Sequence, residues 1–224
     1  MEKTGKHASK HQALIRTLAD PVAELTDWSP MSSGGSNFQM LEIFEVSGER
    51  IEFRRTRRMI RFYRVFMGAG LVMLGLAVFA TTRSRYLSAG EMLYVTTAFA
   101  LVGLLVGGTG VVMKRVAGRP SVLDRRLGWY WMGPTPRDAA DVERRKDAVL
   151  IKDVHAVQYL EKWFERFDSP AAGSTSHFSY EINLVMHDGS RVNVVNHGGQ
   201  SCSLLPAASR TARFLDVPLW DASS

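Results

Sequence analysis

The sequence predicts an α+β membrane protein: a two-helix transmembrane hairpin plus an antiparallel β domain that a C-terminal helix closes. Three observations predict it. Two long apolar blocks contain no charged residue, arginines crowd against their outer ends, and most of the remaining chain has strand-like patterning up to one last helical stretch.

The blocks run from Val65 to Thr82 and from Met92 to Met113. As helices they would be about 27 and 33 Å long, against a hydrocarbon core of about 30 Å. A buried helix of a soluble protein is the alternative, and two consecutive uncharged blocks bordered by arginine argue against it. The chain's mean hydropathy of −0.08 hides this segregation. The first block begins some 65 residues in, well past the position of a cleavable signal.

Charge sets the expected orientation. Arg54, Arg55, Arg57, Arg58, Arg61 and Arg64 precede the first span; Lys114, Arg115, Arg119, Arg125 and Arg126 follow the second. The connection from Arg83 to Glu91 holds only Arg83 and Arg85. The positive-inside bias places both chain ends in the cytoplasm, as in a bacterial inner membrane. A net charge of +6 raises nucleic-acid binding as a possibility, but the arginines sit where an orientation signal belongs, so no nucleic-acid partner is predicted. The densest run, Arg54 to Arg64, is also the candidate contact for anionic lipid head groups.

The short connection makes the helices antiparallel neighbours. Thr96, Ala100, Gly103, Gly107 and Gly110 put small side chains on one face of the second helix, with Gly103 and Gly107 as a GxxxG pair. Gly68 and Gly75 share a face of the first. Packing within the hairpin is the first reading of this stripe, and a homodimer through it is the second. Thr96, Thr97 and Thr109 are expected to bond their own helix backbone. Without ionisable groups in the spans, a channel or transporter formed by this chain alone is not expected.

The rest divides into a mobile polar tail (1–27), a β-hairpin with the arginine-rich segment (28–60), the transmembrane unit (61–115) and a C-terminal β domain (116–224). The tail has a weak helical pattern at Leu14, Ile15 and Leu18, so a short surface helix is its alternative reading. Gly34 to Asn37 reads as a loop, Phe38 to Val46 as a strand, and Ser47 to Arg50 as the turn into Ile51 to Phe53. Ser121–Leu123 and Leu127–Met132 read as a hairpin. Ala148 to Phe164 reads as a bent strand, with Val154, Ala156 and Gln158 on one face. Asp168 to Ser176 reads as a loop. Tyr180 to Met186 alternates, Asp188-Gly189 turns, and Arg191 to Asn196 returns with Val192 and Val194 inward. Ser203 to Asp216 reads as a helix with Pro206 in its first turn, and Val217 to Trp220 as an apolar plug.

The span pair ahead of a sheet, the strand Tyr180-Glu-Ile-Asn-Leu-Val185, the Asp188-Gly189 turn and the closing Phe214-Leu-Asp-Val-Pro-Leu-Trp220 together resemble bacterial two-span inner-membrane proteins with a cytoplasmic pleckstrin-homology-like domain, most of them of unassigned function. The resemblance covers about residues 28–221. It implies fold and location and carries over no catalytic residue. It also leaves room for the N-terminal hairpin to complete the C-terminal sheet.

Sites for chemistry are sparse. The single cysteine, Cys202, excludes a disulfide within the chain. His187 and His197 flank a hairpin and His177 lies nearby, but no Cys-x-x-Cys or His-Glu-x-x-His spacing accompanies them. They read as exposed turn histidines, and no metal or cofactor is predicted. No phosphate-loop or Gly-x-Ser-x-Gly spacing occurs. Carboxylates such as Glu161, Glu165 and Glu181 read as a solvated surface. The leading expectation is a membrane-anchored scaffold or interaction module with a protein partner, then a lipid-sensing module, and last an enzyme with a site near His187 and His197.

Overall fold

A computed structural model describes residues 14–15, 17–31, 41–83, 88–116, 119–145, 147–169, 173–198 and 204–223. The chain divides into two units: residues 1–54 with 120–224, and residues 55–119.

The second unit is a pair of long helices, α2 (Arg57–Arg83) and α3 (Ala89–Val116). Thr56 starts α2, its Oγ1 accepting from the Met59 amide at 3.3 Å. Ser88 and Glu91 form a capping box at the start of α3. The Ser88 amide and hydroxyl donate to Glu91 Oε2 at 2.9 and 2.7 Å, and the Glu91 amide returns to Ser88 Oγ at 3.4 Å. Both helices therefore extend past the apolar blocks, and the arginines from Arg57 onward are helical.

Both helices are long and apolar enough to cross a membrane. Their outer faces are apolar as well: Leu71 is 69% exposed and Leu105 72%. The contacts run antiparallel. A β-carbon on Gly110 would meet Phe66 and Met67, one on Gly103 would meet Gly70 and Leu74, and one on Gly70 would meet Gly107. The stripe through Gly103, Gly107 and Gly110 thus packs inside the hairpin, with Ala100 half-buried on the same helix. A homodimer through that stripe would have to displace the first helix from it. On α2 the contact is made by Gly70, and Gly68 and Gly75 face open space, contrary to the sequence reading. Thr109 bonds the Leu105 carbonyl at 2.7 Å as expected, whereas the buried Thr96 hydroxyl has no partner.

The first unit contains two sheets. The five-stranded sheet has the order β1-β2-β3-β4-β5, and the four-stranded sheet β8-β7-β6-β9. The strands are β1 (Leu41–Ser47), β2 (Arg50–Arg55), β3 (Ser121–Asp124), β4 (Trp129–Met132), β5 (Val149–Leu150), β6 (Val154–Ser169), β7 (Gly173–Met186), β8 (Arg191–Gly198) and β9 (Leu219–Ala222). β2 pairs antiparallel with β3, Phe53 opposite Ser121 and Arg50 opposite Asp124. The N-terminal hairpin therefore does join the later strands, and 28–60 is not a separate unit. The loop expected at Gly34–Asn37 lies outside the described residues.

One core lies between the sheets. Ile51, Phe53, Leu123 and Tyr130 of the first sheet meet Val157, Tyr159, Ile182 and Leu184 of the second. Cross-sheet bonds fix the pairing: Ser121 Oγ donates to the Val194 carbonyl at 3.2 Å and Tyr130 Oη to the Asn193 carbonyl at 3.3 Å. Burial pushes the Tyr130 phenol up to about 12. After the short helix α4 (Ala139–Glu143), helix α5 (Leu205–Leu215) lays Ala208, Ala212 and Leu215 against this core, as its spacing predicts. It ends at Asp216 in the left-handed region (φ 59°), and Pro218 follows.

Several sequence readings need correction. A bulge lies between Val154 and Ala156, so Val154 joins Val157 and Tyr159 in the core and does not share a face with Ala156. A second irregularity between Ile182 and Asn183 sets Val195 opposite Ile182, so Val195 is buried as well as Val194. The loop expected at 168–176 is largely strand, because β6 and β7 pair as far as Ser169 and Gly173. Val217–Trp220 is no plug: Leu219–Ala222 adds β9 parallel to β6, the one departure from antiparallel pairing among the described strands.

Candidate functional site

The outer face of the four-stranded sheet carries the most organised polar chemistry among the described residues. Opposite the core, β6 presents Ala156, Gln158 and Leu160, β7 presents Glu181, Asn183 and Val185, and β9 presents Trp220. Each of these seven is at most 3% exposed. A sheet face that is buried on its outer side needs a cover, and here the cover is the N-terminal segment.

That segment was expected to be a mobile tail or a short surface helix. From Asp20 onward it is instead fixed to the sheet. Asp20 caps the short helix α1 (Pro21–Leu25), accepting from the Val22 amide at 2.9 Å, with Pro21 at the first helical position. Ala23 and Trp28 are buried, with Leu14, Ile15 and Leu18 packed on the same cluster. The Trp28 ring stacks on Trp220 at 5.6 Å, and its Nε1 donates to the Ala23 carbonyl at 2.9 Å.

The sheet grips the backbone of this segment through side chains. Arg191 donates from Nη1 to the Ser29 carbonyl at 2.7 Å and from Nη2 to Asp27 Oδ2 at 3.0 Å. Gln158 donates to the Asp27 carbonyl at 3.2 Å, and Glu181 accepts from the Met31 amide at 2.9 Å. Behind them Asn193 donates to Asn183 at 2.8 Å, and Asn183 donates to Gln158 at 3.2 Å. The amides form a chain that satisfies groups otherwise costly to bury. Burial pushes the Asp27 carboxyl up, but bonds from Ser29 and the Arg191 charge outweigh it and hold it below the ordinary range.

His187 is exposed in the turn between β7 and β8, as the sequence reading expects. In the β7–β8 register His197 lies opposite Tyr180, seven residues along the strand from His187, or about 23 Å at strand rise. His177 lies three residues further on. Structure instead brings His187 to His155, which the sequence reading passed over. The bulge makes His155 the extra residue of β6 and turns its ring toward Trp220, 5.7 Å between centroids. His155 Nδ1 lies 3.2 Å from His187 Nδ1, and His155 Nε2 lies 2.7 Å from Asp20 Oδ2. No periodicity signals a bulge, so no sequence pattern pointed to this pair.

The arginine run divides. Arg54 bonds Glu52 at 2.6 Å and lies 5.5 Å from the Phe44 ring centroid. Arg55 hydrogen-bonds the Tyr63 hydroxyl and covers its ring at 4.8 Å. Arg57, Arg58, Arg61 and Arg64 are exposed on the first two turns of α2. Beside α5 is a groove of about 410 Å³ lined by Ala212, Val217, Pro218 and Leu219 among others.

No family model, curated protein or solved structure matches this chain.

Proposed function

We propose that this chain is a membrane-anchored interaction module. The helical pair crosses the bilayer twice with its basic ends on the cytoplasmic side. The β domain, pleckstrin-homology-like in kind, stands on that side and offers its sheet edges and the groove beside α5 to a protein partner. It acts by holding a partner at the membrane and not by catalysis. One observation carries the reading: the helical pair is inserted between β2 and β3, which are hydrogen-bonded neighbours in one sheet. A domain that sends out and takes back the chain at adjacent strand ends is suited to a hairpin whose two ends emerge on one side. A bacterial inner membrane fits the charge pattern.

The test combines topology with capture. In a protein with Cys202 replaced by serine, a cysteine at Ser84 should react with an impermeant maleimide in intact cells, and one at Ser209 only after permeabilisation. Carbonate-washed membranes should retain the chain, and gentle solubilisation should co-purify a stoichiometric protein. Extraction by carbonate alone, or labelling of Ser209→Cys from outside, would sink the reading.

The four exposed helical arginines favour a second reading, attraction to anionic lipid, at about 1 kcal/mol per basic residue near a charged surface. Full-length protein in nanodiscs should then enrich phosphatidylglycerol over phosphatidylcholine. Arg57→Gln together with Arg61→Gln should abolish the enrichment.

A further inference from the structure

Asp20, His155 and His187 form a line of three hydrogen-bonded side chains. The Asp20 carboxylate already accepts from the Val22 amide at 2.9 Å, and an ionised carboxylate can only accept. His155 Nε2, 2.7 Å away, must therefore carry a proton. In the neutral ring this leaves Nδ1 as a bare lone pair, aimed at His187 Nδ1 across 3.2 Å.

Two imidazole nitrogens at that separation share either a proton or a cation. With metal–nitrogen bonds of about 2.0–2.1 Å, such spacing corresponds to an N–metal–N angle of about 100°, near the tetrahedral value. The two rings stand at 68° to each other, so they meet edge to face and do not stack. A carboxylate on the far nitrogen of a metal-binding imidazole fixes its tautomer and raises its basicity, and Asp20 stands in that place. His155 faces this way only because a bulge re-aims it, and Trp220 backs its ring. His187 is exposed, which leaves a path from solvent.

We propose that His155 and His187 are the protein ligands of a site for a divalent transition metal of the imidazole-preferring class, with Asp20 as its positioning residue. Among the described residues no third histidine, cysteine or carboxylate completes the set. The cation therefore keeps water in its remaining positions and exchanges readily. Affinity should follow copper(II) above nickel(II), with zinc(II) below copper(II). Because Asp20 belongs to the covering segment, a cation here would tighten that cover on the sheet.

The experiment uses the full-length protein in detergent, stripped with a chelator and titrated with copper(II) chloride. Calorimetry counts equivalents and electron paramagnetic resonance reads nitrogen coordination. His187→Ala, at an exposed position, and His155→Ala should each lose one equivalent and the corresponding two-nitrogen signal. His197→Ala should keep both. Asp20→Asn should keep the equivalent but weaken it about 10-fold or more. Zinc(II) should raise the melting temperature of the unaltered protein and not of His187→Ala. Equal stoichiometry and affinity in the unaltered protein and in His187→Ala would overturn the proposal and leave a histidine pair that shares only a proton.

Discussion

Gly70 and Gly107 meet backbone to backbone: a β-carbon on Gly70 would lie 2.5 Å from the Gly107 Cα. No side-chain movement relieves that contact. Gly70→Leu should therefore force the two helices apart, at a cost at the upper end of the ~1–3 kcal/mol usual for overpacking. Gly68→Leu faces open space and should be nearly neutral. Resistance of the hairpin to denaturation in mixed micelles compares the two, and equal resistance would contradict the packing.

Gly189 and Gly128 separate a backbone effect from a contact. Both have positive φ, 80° and 76°. A β-carbon on Gly128 meets nothing, while one on Gly189 would press on Leu25 at 3.0 Å. Gly128→Ala should cost about 1–2 kcal/mol from the left-handed backbone alone. Gly189→Ala should cost more and also speed proteolysis within residues 14–31. Chemical denaturation and limited proteolysis measure both effects.

Trp28 and Trp220 hold the covering segment from opposite sides of their stack. Trp220→Ala should destabilise the β domain by about 3–5 kcal/mol, as for a buried aromatic. Trp28→Ala should release the segment first, shown by amide exchange confined to residues 14–31. Unchanged exchange there would show that Arg191, Gln158 and Glu181 suffice to hold it.

Glu52 is 6% exposed and receives Arg50 and Arg54 at 2.7 and 2.6 Å. Burial raises its carboxyl pKa, and the two arginine bonds outweigh that and lower it. A depressed folded-state pKa means stability that is present above the unfolded value of about 4.3 and lost as pH falls through the lower folded value. Glu52→Gln should cost about 1–3 kcal/mol at pH 7 and flatten this acid limb of the stability curve. Urea midpoints from pH 7 down to pH 3 provide the check.

Much of the architecture was readable before any coordinates. The two helices, the Asp188-Gly189 turn, the inward set Tyr180, Ile182, Leu184 and Met186, and the closing helix all follow from period and turn chemistry. What escaped depends on contacts distant in sequence. Glu181, Asn183 and Val185 look solvent-facing by alternation, yet they are buried because residues 14–31 return to cover them. Unbroken alternation sets Val154 on one face with Ala156, and the bulge that breaks it re-aims His155. The six arginines form one run in sequence, yet Arg54 and Arg55 already have partners. Gly68 and Gly75 matched a seven-residue repeat, while contact with the second helix selects Gly70.

The junction of β2 and β3 has a consequence for biogenesis. The strands are neighbours, yet their paired residues Phe53 and Ser121 are separated by the whole helical pair. A loop that long makes closure costly for a floppy chain. A preformed helix pair brings its two ends together beforehand and so stands in for a tight turn. Pairing of the helices would then come first, with sheet assembly templated by it. A ribosome-bound chain stalled before β3 emerges would display β2 as a raw edge, open to chaperones or to misassembly.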